Sequence, residues 1–193
     1  MDDEKLFDVP AGSEEFDLVN TVFKAQPVER AIYQLKPQQV WDATSVVRVQ
    51  RVENSFQEEG SARPYFDALR TSIEGQGVEF EPGTHTCWGF HGASLDAIES
   101  IISDPVAGFQ PLASGTKKAS LWGAGTYFAR DARYVAEGGF CAAPAADGTQ
   151  QMLMCLLVIG VPCLGGPEQH GVLPFRRKPH RYNSSVDCLA SPE

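Results

Sequence analysis

The stretch QMLMCLLVIGV, residues 151–161, is an apolar run without a single charge. It is about half the roughly 20 residues a membrane-spanning helix needs, so other parts of the chain have to cover it. Its length reads as a buried β-strand. With 42% hydrophobic and 10% aromatic residues in 193 positions, the chain can build one core of ordinary domain size. The opening MDDEKLFDVPAG, residues 1–12, is acidic rather than basic-then-apolar. It reads as a flexible leader and not as a secretory signal, which leaves 13–193 as the domain.

The remaining elements follow from spacing. Ser13 precedes Glu14 and Glu15, a helix cap with acids in the first turn, and Phe16, Val19 and Phe23 recur at helical spacing up to Pro27. SVVRVQRV, residues 45–52, is rich in β-branched residues and predicts a strand. ARPYFDALRTSI places Phe66, Leu69 and Ile73 on one helical stripe. SLDAIESII has Ser94 as cap and Leu95, Ile98, Ile101 and Ile102 on one face. GTYFA (125–129) reads as a short strand or turn, and Pro162 to Pro179 as a long irregular loop. Helices and strands do not alternate as they would in a doubly wound sheet, so the expected class is α+β.

Charge and cysteines narrow the function classes. A net charge of −9 argues against a domain that holds nucleic acid on a basic face. The one basic cluster, FRRKPHR at 175–181, reads as a solvated loop beside Pro174 and Pro179. Cysteines 87, 141, 155, 163 and 188 are odd in number and lack Cys-x-x-Cys spacing, against both a disulfide framework and a zinc site. His85, Cys87 and His91 sit on one continuous stretch with no second ligand pair, so no metal is expected. An intracellular location, cytoplasmic or nuclear, follows as the expectation. GAG at 123–125 is not followed by a helical pattern and is no dinucleotide fingerprint.

Four segments stand out together: GFHGAS (89–94), WGAGTYFA (122–129), YVAEGGF (134–140) and RYNSSVD (181–187). Singly, each has a plain structural explanation: a turn glycine, a core histidine or an aromatic on a strand. In this order and spacing they resemble the catalytic domain of the poly(ADP-ribose) polymerase-like, or diphtheria-toxin-like, ADP-ribosyltransferases, and are most similar to the mono-ADP-ribosylating members. That family carries a His-Gly pair on a strand, then about three dozen residues later a Gly-x-Gly-x-Tyr-Phe-Ala segment, then an aromatic and a Ser-x-Val-Asp element. Here these are His91-Gly92, Gly123 to Ala129, Phe140, and Ser184 to Asp187. VVRVQRVEN and AADGTQQMLMCLLVIG resemble two further strands of such domains, so the likeness runs from about Phe16 to Glu193.

The resemblance implies two packed, mainly antiparallel sheets with flanking helices, and NAD as co-substrate. His91 and Tyr127 would be the catalytic pair, lining one cleft. His91 would hydrogen-bond a ribose, and Gly92 would offer its backbone to the nicotinamide carboxamide. Tyr127, Phe128 and Ala129 would wall the pocket, and Phe140 would stack on the nicotinamide ring. NAD is cleaved at the nicotinamide–ribose bond through a loose, cationic transition state, so such a site works by orientation and electrostatics. A Cβ at position 92 would crowd the carboxamide, which gives a reason for glycine there.

The chain also departs from the family pattern. Val135 stands eight residues after Tyr127, where the family usually has a serine whose hydroxyl bonds the carboxamide. Phe140 replaces a frequent tyrosine, and Ala124 a frequent lysine. The third signature residue, a glutamate in polymer-forming members, falls in this register just beyond Glu193, so the domain is expected to be incomplete at its C-terminus. The readings left open are a mono-ADP-ribosyltransferase acting on protein acceptors, and an inactive relative that keeps the NAD site as a binding or scaffolding module. A nucleic-acid end as acceptor is compatible with the pocket, but there is no basic binding face for it. No membrane partner is expected.

Overall fold

The computed structural model describes residues 5–25, 38–104, 108–110, 125–166, 172–187 and 189. Helices and strands are mixed in an α+β arrangement, in the order β1 (Leu6–Val9), α1 (Glu14–Lys24), α2 (Gln38–Asp42), β2 (Val49–Val52), α3 (Ser55–Gln57) and α4 (Arg63–Glu74), a π-helical turn joining α3 to α4. Then come β3 (Thr86–His91), α5 (Leu95–Ser103), α6 (Ala132–Glu137), β4 (Leu153–Val158), β5 (Pro162–Leu164), β6 (Phe175–Arg177), β7 (His180–Arg181) and β8 (Ser184–Val186). Among the described residues the strands form four two-stranded ladders. β1–β2, β3–β4 and β6–β7 are antiparallel, and β5–β8 is parallel.

Local chemistry accounts for most of the helices. The Ser13 hydroxyl accepts the Phe16 amide at 3.2 Å and caps α1. The Ser94 hydroxyl does the same for the Ala97 amide at 3.3 Å at the start of α5. Asp131 caps α6 by accepting the Arg133 amide at 2.8 Å. In α4, Leu69 and Ile73 are buried, and Phe66 meets Phe80 edge-on at 5.3 Å.

The core lies against one face of β3. Side chains alternate along a strand, so Thr86, Trp88 and Phe90 share one face and Cys87, Gly89 and His91 the other. Phe90 is 1% exposed and packs with Phe23, Trp41, Ala129, Ala132 and Val135. Phe23 and Trp41 are stacked at a tilt 4.9 Å apart. The Lys24 ammonium stands over the Trp41 ring and donates to the carbonyls of Trp41, Asp42 and Thr44, tying α1 to the end of α2.

Three stretches differ from the sequence expectation. Residues 6–9 are part of no flexible leader: they pair with β2, from Leu6 against Val52 to Val9 against Val49. Between Pro162 and Pro179 lie strands β5 and β6 rather than an irregular loop, and the basic cluster forms the β6–β7 hairpin. In that hairpin the Arg181 guanidinium sits 3.8 Å over the Phe175 ring. The apolar run does form a strand, but β4 is only half-buried and Leu156 is 57% exposed. Pro27 and Cys188 lie outside the described residues, as do Gly123, Ala124 and 111–121. The other four cysteines are free thiols.

Candidate functional site

The site grows from the end of β3. Its outer edge is joined to residue 129 by an antiparallel bridge: the Phe90 amide donates to the Ala129 carbonyl at 2.7 Å, and the Ala129 amide to the Phe90 carbonyl at 2.9 Å. That bridge brings the Tyr-Phe-Ala segment beside the His-Gly pair. One residue on, His91 Nδ1 lies 2.8 Å from the Tyr127 carbonyl oxygen. A carbonyl only accepts, so Nδ1 carries the proton. In the neutral ring this makes Nε2 the acceptor, available for a hydroxyl.

Aromatic rings hold the imidazole from two sides. Phe128 lies 5.4 Å from it, tilted, and Phe109 meets it edge-on at 5.3 Å and 88°. Phe109 and Phe128 are themselves 5.2 Å apart. The three rings form a closed triangle on the side of β3 facing away from the main core.

Gly92 sits against a different wall. A Cβ built there would come within 2.8 Å of the Phe140 carbonyl carbon and Val135 Cγ1, and 2.9 Å of the Cys141 amide. The protein's own packing therefore demands glycine at 92, a nearer reason than the approach of a ligand. The Ala142 amide donates to the Ala93 carbonyl at 3.1 Å and closes this contact. Val135 is 3% exposed and belongs to the core, whereas Phe140 is 48% exposed and leans on Tyr134 at 5.1 Å.

The structure places His91, Tyr127, Phe128 and Ala129 together at the edge of β3, and sets Gly92 against Val135 and the Phe140 backbone. They do not play equal parts. Ala129 and Val135 are buried, whereas the Tyr127 and Phe140 side chains are open to solvent, Tyr127 at 42%. The contact at the imidazole is made by the backbone of Tyr127.

Below His91 on the same face of β3 lies a cavity of about 130 Å3. Cys87, Phe128, Leu157 and β8 residues Ser184 to Val186 line it, with Thr126 and Arg130. On the same face of β3, a Cβ at Gly89 would fall 2.5 Å from Leu157 Cδ1, so a side chain there would displace Leu157. Burial raises the Cys87 thiol above its ordinary value, with the Arg130 charge pulling the other way. The same effect pushes Cys155 on β4 up to about 11.

Most of the other residues around the site were not singled out from the sequence. The last carbonyls of α5 are all met from outside or by the chain just beyond: Ser100 by the Asp104 amide, Ile101 by Gln57, Ile102 by Asn54 and Ser103 by Lys5. Asp131 is buried beside an Arg133–Glu137 ion pair at 3.3 Å, and desolvation raises its carboxyl above the usual range. His85 accepts the Glu81 amide on Nδ1 at 3.0 Å and stacks on Phe80. Among the described residues no three His, Cys, Asp or Glu side chains converge as metal ligands, and no helix is long and apolar enough to cross a membrane. No protein-family model matches the chain, and no curated protein matches it.

Proposed function

We propose that the chain is an NAD-dependent ADP-ribosyltransferase domain that transfers single ADP-ribose units to protein acceptors, built on the two-sheet fold of that family. The observation that carries this reading is the hydrogen bond from His91 Nδ1 to the Tyr127 carbonyl, which joins two motif segments 36 residues apart. In this reading Nε2 accepts a ribose hydroxyl, and the Gly92 backbone faces the carboxamide. The exposed Phe140 ring stacks on nicotinamide, a contact of about 1 kcal/mol beyond its buried area. His91 then acts by orientation, and the charge developing on the sugar is met by fixed dipoles rather than by a proton shuttle.

A specific observation favours the second reading, a module that binds without catalysis. Val135 has no hydroxyl, and its side chain is turned into the core against Gly92. A carboxamide bound there loses one hydrogen bond, which costs about 1 kcal/mol. Incubation with labelled NAD and titration calorimetry separate the two readings. Transfer of label to the protein or to added acceptors supports the enzyme; NAD binding with no transfer supports the module. Neither binding nor transfer removes both.

A further inference from the structure

We propose that Phe109 is a positioning residue for His91, and that Asn54 and Gln57 set it in place from outside the site. A hydrogen bond through Nδ1 alone fixes one atom of an imidazole and leaves the ring free to rock about that bond. The edge-on contact with Phe109 at 5.3 Å and the tilted contact with Phe128 at 5.4 Å remove this freedom. Phe128 precedes Ala129, whose isolated bridge to Phe90 holds this segment beside β3. Phe109 follows Gly108, which lies beside Gln57 and the Ile101 carbonyl of α5.

Two sets of contacts describe that support, one at the end of α5 and one at Gly108. Asn54 Nδ2 donates to the carbonyls of Ile102 and Asp104 at 3.1 and 3.0 Å. Gln57 Nε2 donates to those of Ile101 and Asp104 at 2.9 and 2.5 Å. Asn54 Oδ1 also accepts the Gln57 amide at 3.3 Å, so the two side chains form one clasp. Gly108 turns the chain at φ +65°, with the Gln57 amide and the Ile101 carbonyl each 3.0 Å from where a Cβ would stand. The next residue is Phe109. In this proposal the clasp, lying beside Gly108, holds the turn, the turn aims the ring, and the ring sets the plane in which Nε2 presents its lone pair.

The catalytic consequence rests on the donor-site reading above; the positional claim does not. The test uses the full chain, with imidazole nitrogen and carbon-bound proton resonances of His91 followed by NMR alongside nicotinamide release. Wild type is expected to show a single Nδ1–H tautomer with ring protons displaced by the neighbouring aromatic currents. Phe109→Ala and the better-filled Phe109→Leu are expected to lose that displacement and to lower kcat roughly tenfold to hundredfold with KM for NAD little changed. Phe109→Tyr, which keeps the ring, restores both. Gln57→Ala, remote from the imidazole, is expected to shift the same resonances in the same direction. Because Gln57→Ala leaves both aromatic rings in place, His91 resonances unmoved in that variant overturn the proposal, whatever the activity. Should wild type release no nicotinamide, the donor reading fails and the resonances alone decide the positional claim.

Discussion

The His91 imidazole is tied through Nδ1 to the carbonyl oxygen of Tyr127 at 2.8 Å, beside the bridge that joins Phe90 at the edge of β3 to Ala129. The bond fixes the tautomer and leaves Nε2 as the acceptor. It also means that the tyrosine can change its side chain without releasing the histidine. Tyr127→Phe is therefore expected to leave the His91 tautomer unchanged by NMR. A switch to the Nε2–H form in that variant would show that the phenol, and not the backbone, holds the ring.

Gly92→Ala is expected to destabilise the fold by about 1–3 kcal/mol, because the new methyl group meets backbone atoms of Phe140 and Cys141 that cannot step aside. Urea unfolding midpoints measure this without any ligand. A variant as stable as wild type would mean that glycine at 92 serves only an incoming molecule.

Asp131 gives a pH-dependent prediction. Desolvation raises its carboxyl, opposed by the amides of Arg133 and Tyr134 and by the Arg133 charge. The folded state then holds the proton more tightly than the unfolded one. The group's contribution to stability is full below the ordinary carboxylate range and falls as pH rises through the folded value. At neutral pH its charge opposes folding. Asp131→Asn keeps an acceptor for the α6 cap and is expected to match or exceed wild-type stability at neutral pH, with the difference fading toward about pH 4. Unfolding midpoints at the two pH values test it, and a clear loss of stability at neutral pH would contradict it.

Cys155 is expected to resist alkylation. With its thiol pushed up to about 11 by burial, roughly one molecule in a thousand carries the thiolate near pH 8. Mass-resolved labelling should show its rate rising about tenfold per pH unit. Rapid labelling at neutral pH would place it in a more open setting.

Asn54→Ala removes the α3 cap and two donors to the end of α5 together. A loss of about 1–3 kcal/mol is expected, with faster amide exchange near the end of α5. Wild-type exchange there would show that the carbonyls find other partners.

Caps and stripes were the legible part of the fold. Ser13, Ser94 and the Leu69–Ile73 stripe act through neighbours three or four residues away, so their meaning is local. β1 was hidden because LFDV has one polar break and acidic neighbours; it becomes a strand only through β2, with 40 residues separating Val9 from its partner Val49. The β6–β7 hairpin was hidden by its charge and flanking prolines. At the site, His91, Gly92 and the 127–129 segment were singled out from their pattern, but the contact at the edge of β3 is made by the Tyr127 carbonyl and not by the side chain on which the pattern turned. Phe109 was not legible, since nothing in its local pattern ties it to His91, whose ring it meets edge-on. Asp131 did leave a signal: an acid directly before the helical stretch ARYVAE.

The central claim is that His91 and its surroundings cleave NAD. The direct measurement is nicotinamide released from NAD by the purified chain, wild type against His91→Ala, with both proteins shown to be folded. Release by wild type that falls roughly hundredfold in the variant is the predicted result. Equal release from the two proteins, or none above solvent background from wild type, would contradict it.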